Sequence, residues 1–258
     1  PNIDGKELSI GSMLPFGPFY HCPLTTLNLN RELKYPTQGV DAAGLFGAKT
    51  ELTKVTLGDQ VKTLSPYMFA GSGITSLDLN KVETIQTRAL ARLAMISLTI
   101  PGNVMTIGNN VFDGCKSLAE LVFLPHSEGE ALKLGFYDDA TDADGPFYDC
   151  PLTTVKINRE LDYTFPLSDL NDPDEGVFGN KTNLVSLTLG EQLKTLSPYM
   201  FANIGIKKGV GSSESNVVNA DQYVLQLKNV ETVGKYAFMG TQITNLKVYP
   251  SLSLIDDH

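Results

Sequence analysis

Apolar residues fall in a short figure that returns along the chain. Residues Leu24–Leu29 read LTTLNL, an apolar residue followed three places later by an apolar, polar, apolar alternation. The figure recurs from Leu52, Ile74, Met95, Leu118, Leu152, Leu184 and Ile243, with a degenerate version at Val224–Leu227. Its alternating part has the period of two that marks a strand with one buried face. A turn of Gly, Asn, Asp or Pro follows, and then a second apolar pair three residues apart: Val61 and Leu64, Val82 and Ile85, Val104 and Ile107, Leu193 and Leu196, Val230 and Val233. A third element places small or apolar residues ahead of Phe69, Phe112, Phe201 and Phe238. Each unit therefore offers two or three inward-pointing sides.

The figures starting at Leu52, Ile74, Met95 and Leu118 are 22, 21 and 23 residues apart, whereas the 34 residues from Leu118 to Leu152 read as the same period with an inserted loop. One such unit cannot bury its apolar face alone; stacked units share a continuous core and pair their strands. The expected fold is a repeat solenoid, a right-handed coil that is predominantly β with short helical turns. It should have about nine coils and span residues 1–258 as one domain, about 40 Å long if neighbouring strands lie about 4.8 Å apart.

A larger duplication overlies this period. GPFYHCPLTT from Gly17 returns as GPFYDCPLTT from Gly145, NRELKY from Asn30 as NRELDY from Asn158, and KTLSPYMFA from Lys62 unchanged from Lys194. The copies cover approximately residues 8–117 and 132–256. The offset grows from 128 to 132 and, between Lys81 and Asn229, to 148, which locates insertions in the second copy. The largest, Lys207–Gln222, is polar and rich in Gly and Ser, as an exposed excursion should be.

The most complete unit, MISLTIPGNVMTIGNNVFDGC from Met95 to Cys115, resembles the BspA-like leucine-rich repeats of bacterial surface proteins, with Ile100-Pro101, Ile107-Gly108, Phe112 and Cys115 in register. The Asn of ordinary leucine-rich repeats is missing, its place taken by Glu32, Gln60 and Gln192. The resemblance implies a secreted or surface-anchored bacterial protein serving adhesion or recognition of a protein or glycan ligand, including one of host origin. No family-wide binding residue comes with it.

Composition narrows the alternatives. With a net charge of −9, a pI near 4.8 and no basic run longer than Lys207-Lys208, the chain is no nucleic-acid binder, because that affinity rests on basic side chains displacing counterions. The longest apolar stretches, such as Leu121–Pro125, are far shorter than the roughly 20 residues of a membrane-spanning helix. The chain opens without Met or a leader-like segment, so either a leader has been removed or the chain is an excised segment. Cys22, Cys115 and Cys150 form an odd set without metal-ligand spacing and read as buried small hydrophobes.

Catalytic chemistry is hard to find. The only histidines are His21, His126 and His258; His21 is Asp149 in the second copy, and His126 reads as a solvated loop residue. No nucleophile motif, phosphate loop or cofactor motif occurs. The chain is read as a non-enzyme without cofactor or bound metal, an enzyme built on inserted loops being the remote alternative. Two acidic loops stand out, carrying Asp138, Asp139, Asp142 and Asp144, and Asp172, Asp174 and Glu175. Crowded carboxylates can bind calcium, but Ala140 and Pro151 break the loop template, and solvated loops are the plainer reading.

The other candidate site is the outward ladder of the first strands: Asn28, Thr56, Asp78, Thr99, Val122, Lys156, Thr188, Gln226 and Lys247. It is polar and free of aromatic residues. Concave solenoid sheets commonly bind partners, although Thr also simply favours strands. Three functions compete: a recognition or adhesion module, a structural spacer carrying another domain, and the loop-built enzyme. The last unit stops without its Phe element or a polar cap, which predicts that the native chain continues or that this end pairs with another molecule, end to end.

Overall fold

The computed structural model describes residues 8–9, 19, 22–34, 45–46, 49–135, 145–163, 176–179, 181–206, 224–243 and 245–256. Each apolar figure except the one from Ile74 contributes one strand to a first face, and these strands pair in parallel with those of neighbouring repeats. Thr26–Leu29 pairs with Lys54–Leu57; Ser97–Ile100, Glu120–Phe123, Thr154–Ile157 and Ser186–Leu189 form a four-stranded sheet; Val224–Gln226 pairs with Asn245–Lys247. The alternation does what its period requires. In Ser97–Ile100, Leu98 and Ile100 are buried while Ser97 and Thr99 are exposed.

The second apolar pairs build another face. Thr63–Leu64, Thr84–Ile85, Thr106–Ile107, Leu132–Leu134 and Leu161–Tyr163 form a five-stranded parallel sheet, and Thr195–Leu196, Thr232–Val233 and Leu254–Ile255 a three-stranded one. All five pairs expected from the sequence are buried.

The third side departs from expectation: among the described residues it holds turns and no helix. At the position two residues before the Phe, or before the Leu90 that replaces it, Tyr67, Arg88, Asn110, Tyr199 and Tyr236 have φ between 53° and 58°. A left-handed residue there stops helical propagation. The backbone amides turn to the next repeat instead. Tyr67, Phe69 and Gly71 donate to the carbonyls of Thr87, Ala89 and Ala91, and Tyr199, Phe201 and Asn203 to those of Lys235, Ala237 and Met239.

These turns set the phenylalanines in a column. Phe147 stacks on Phe112 at 5.0 Å and on Phe178 at 6.0 Å, and meets Phe123 edge-on. Phe178 continues to Phe201 at 5.4 Å and Phe201 to Phe238 at 5.5 Å. Buried rings of this size dominate core energetics.

Polar pins repeated by the duplication lock neighbouring repeats. The Glu32 carboxylate accepts from the Lys62 backbone N–H, and the Glu160 carboxylate accepts from that of Lys194. Ser65 Oγ donates to the Leu33 carbonyl at 3.1 Å, and Ser197 Oγ to that of Leu161 at 2.8 Å. The recurring NREL and LSPYMF segments are thus accounted for by structure.

Arg159, from the same NREL segment, is fully buried. Its guanidinium donates to the carbonyls of Gly102 at 3.1 Å, Val104 at 2.8 Å and Glu130 at 3.0 Å, reaching two repeats besides its own. Burial pushes its pKa down, against the opposing pull of Glu130. Gly102 permits the close approach it makes here, because a Cβ would strike the carbonyl oxygen of Pro125 in the next repeat.

Two stability outcomes follow. Phe147→Ala should cost about 3–5 kcal/mol in chemical denaturation, as for large-to-small changes in closed cores, and Phe238→Ala, half-buried at the end of the column, distinctly less. Arg159→Met keeps an apolar stem but leaves the buried Val104 carbonyl without this donor, at about 1–3 kcal/mol, with a smaller loss from the part-buried Gly102 and Glu130 carbonyls. Glu130→Gln should change little, since the backbone and not the carboxylate holds the guanidinium.

Candidate binding face

The first strands bring most of the ladder into register. Asn28 lies beside Thr56, and Thr99, Val122, Lys156 and Thr188 run in one row across the four-stranded sheet. Asn28, Thr56, Thr99, Lys156 and Lys247 are exposed, and Val122 and Thr188 half-buried.

Two ladder residues differ from expectation. Gln226 pairs in register with Lys247 but is only 1% exposed, and its Oε1 accepts a 2.6 Å hydrogen bond from the Tyr249 hydroxyl. A satisfied internal amide, it is unsuited to capturing a partner. Asp78 is exposed but lies on no strand. Its Oδ1 accepts the Asn80 backbone N–H at 2.9 Å. Such local capture competes with ladder bonding, and Asp is in any case a poor strand former. The repeat from Ile74 therefore contributes a strand to the second face and none to the first, and the first sheet is interrupted there.

At the interruption opens a cavity of about 270 Å³, bordered by Ser76, Asp78 and Asn80 on one side and Ser97, Thr99 and Pro101 on the other. Leu77, half-buried, and the buried Leu79 and Leu98 lie at its base. This groove joins two predicted ladder positions, Asp78 and Thr99, to neighbours that the sequence did not single out. The signal was available: Asp78 is the one carboxylate in the ladder.

The acidic residues Asp138, Asp139, Asp142, Asp144, Asp172, Asp174 and Glu175 lie outside the described residues, as do His21 and His258. Among the described residues no group of three His, Cys, Asp or Glu could hold a metal ion. His126 is half-buried rather than solvated. Its Nδ1 accepts the backbone N–H of Glu128 at 3.2 Å and of Glu130 at 3.1 Å, and its carbonyl accepts from Gln192 Nε2. That is the work of a loop clasp. At the last repeat, Leu246, Val248, Leu254 and Ile255 are about half exposed, at 48–58%.

The model of the BspA type leucine rich repeat region matches residues 42–129 and 143–226 in six copies, together about two thirds of the chain. The chain belongs to this family. No curated protein matches it. A solved leucine-rich repeat protein from Bacteroides ovatus ATCC 8483 is similar over 100% of this chain and 72% of its own, at 14% identity and a TM-score of 0.46. Among the described residues no helix is long and apolar enough to cross a membrane.

Within the BspA-type repeat, the Cys that closes the Phe element is a pin between repeats. Cys115 Sγ donates to the Leu90 carbonyl at 3.3 Å and Cys150 Sγ to that of Phe112 at 3.2 Å. Both are fully buried, whereas Cys22 is half-buried, against the expectation of burial for all three. Burial pushes the Cys115 thiol up from 9.0 to about 12 and raises that of Cys150 well above its ordinary value.

A raised pKa in the folded state favours the protonated thiol. Its contribution to stability is whole below about pH 9 and is lost as pH rises toward 12. Denaturation midpoints should fall across that window in the native protein and less so in Cys115→Ala, after allowance for its lower starting stability. In thiol-labelling kinetics at pH 8, Cys115 and Cys150 should react only on unfolding, since the thiolate is the nucleophile.

Proposed function

We propose that this chain is a non-catalytic recognition module of a secreted or surface-exposed bacterial protein, which uses its polar strand face to bind a protein or glycan partner. The observation that carries this reading is the row Thr99, Val122, Lys156 and Thr188, held side by side on a rigid parallel sheet whose opposite side is committed to the core. Membership of the BspA-type family supports it, since such repeats often serve binding and adhesion. We take the repeats to form one right-handed solenoid of about nine coils over residues 1–258, duplicated at approximately 8–117 and 132–256. In such an array the outward residues of successive strands share one side, broken at the repeat from Ile74.

Solid-phase binding to a panel of host matrix proteins and a glycan array tests the main reading. A positive partner should lose about tenfold or more in affinity on the double change Thr99→Arg, Lys156→Glu, and little on Lys62→Gln, an exposed residue outside the ladder. Silence across both panels, or equal loss with both variants, would count against the strand face as a binding surface.

A further inference from the structure

At the interruption of the first sheet, the ladder residues Asp78 and Thr99 border a cavity of about 270 Å³. We propose that this groove is a slot for a single arginine or lysine side chain presented by a protein partner, an inference that rests on the reading of the strand face as a binding surface. The base is aliphatic, with Leu77 half-buried and Pro101 beside it, as the methylene stem of a long basic residue requires. The rim carries one carboxylate, Asp78, and the hydroxyls of Ser76, Ser97 and Thr99, which accept hydrogen bonds from a guanidinium or ammonium head.

Three further observations select a cation. The Asn80 backbone N–H holds Asp78 Oδ1 at 2.9 Å, so the carboxylate is oriented before a partner arrives. Lys81, the nearest cation in sequence, is paired with Asp59 at 3.1 Å. The chain as a whole carries −9, which draws basic partners toward it. A sugar is the poorer occupant, because no aromatic ring lines the groove to stack against it. The opening itself comes from Asp78. By capturing the Asn80 amide it keeps Ser76–Leu79 out of the sheet, while the same repeat stays anchored behind through Thr84–Ile85, paired on both sides.

Backbone resonances of the whole 15N-labelled chain, titrated with N-acetyl-arginine amide, N-acetyl-lysine amide and the neutral isostere N-acetyl-citrulline amide, test the slot directly. Shifts should gather at Ser76–Asn80 and Ser97–Thr99 with the two cations and be absent with citrulline. Asp78→Asn keeps an oxygen acceptor for the Asn80 amide, and hence the fold, but should weaken the arginine response about tenfold or more, whereas Asp59→Asn should leave it unchanged. Citrulline acting like arginine, shifts spread evenly over acidic surface, or an arginine response surviving Asp78→Asn would each overturn the slot. A panel partner that binds Asp78→Asn as tightly as the parent chain would remove the slot and leave the strand-face reading standing. An arginine response at the slot with no panel partner would do the reverse.

Discussion

A unit of about 22 residues has too little chain to wrap a core around itself. Its apolar side chains can leave water only against the unit before and the unit after. Parallel pairing of successive strands, the column of phenylalanines and the carbonyl-seeking amides of the third side all answer that constraint. The buried charge of Arg159 answers it too, since its three acceptors lie on repeats brought together only by stacking.

The first strand face was legible in the sequence because its signal is a periodicity of two, and the second as an inward-pointing side because its apolar pairs recur three residues apart. Leu98 and Ile100 point inward and Thr99 outward for no subtler reason. The third side was not legible. Small and apolar residues ahead of Phe look like a short helix, and what prevents one is a left-handed backbone at Tyr67, Arg88, Tyr199 and Tyr236, residue types that give no warning of it. Tertiary hydrogen bonding to the next repeat compensates that conformation. Tyr67 adds a contact of its own, its hydroxyl accepting from the Arg88 guanidinium at 3.1 Å.

The candidate site was legible in outline and not in detail. Register placed Thr99, Lys156 and Thr188 in one row, as the spacing required. Gln226 escaped because a polar residue at an outward position reads as solvated unless its partner is known, and Tyr249 lies 23 residues away. His126 escaped for the same kind of reason, its ring being spent on amides of its own loop. Asp78 carried a readable hint, a weak strand former in the middle of a strand figure, and the break in the sheet is its result.

The pins that join repeats were copied together with the repeats. Glu32 with Lys62 and Ser65 with Leu33 reappear as Glu160 with Lys194 and Ser197 with Leu161, donor and acceptor lying within the same duplicated stretch. A recombination event that inserts this stretch brings its own joints and asks no compensating change of the older sequence. The array can thus lengthen in a single genetic step, and a surface needing greater reach could acquire it without first passing through an unstable intermediate.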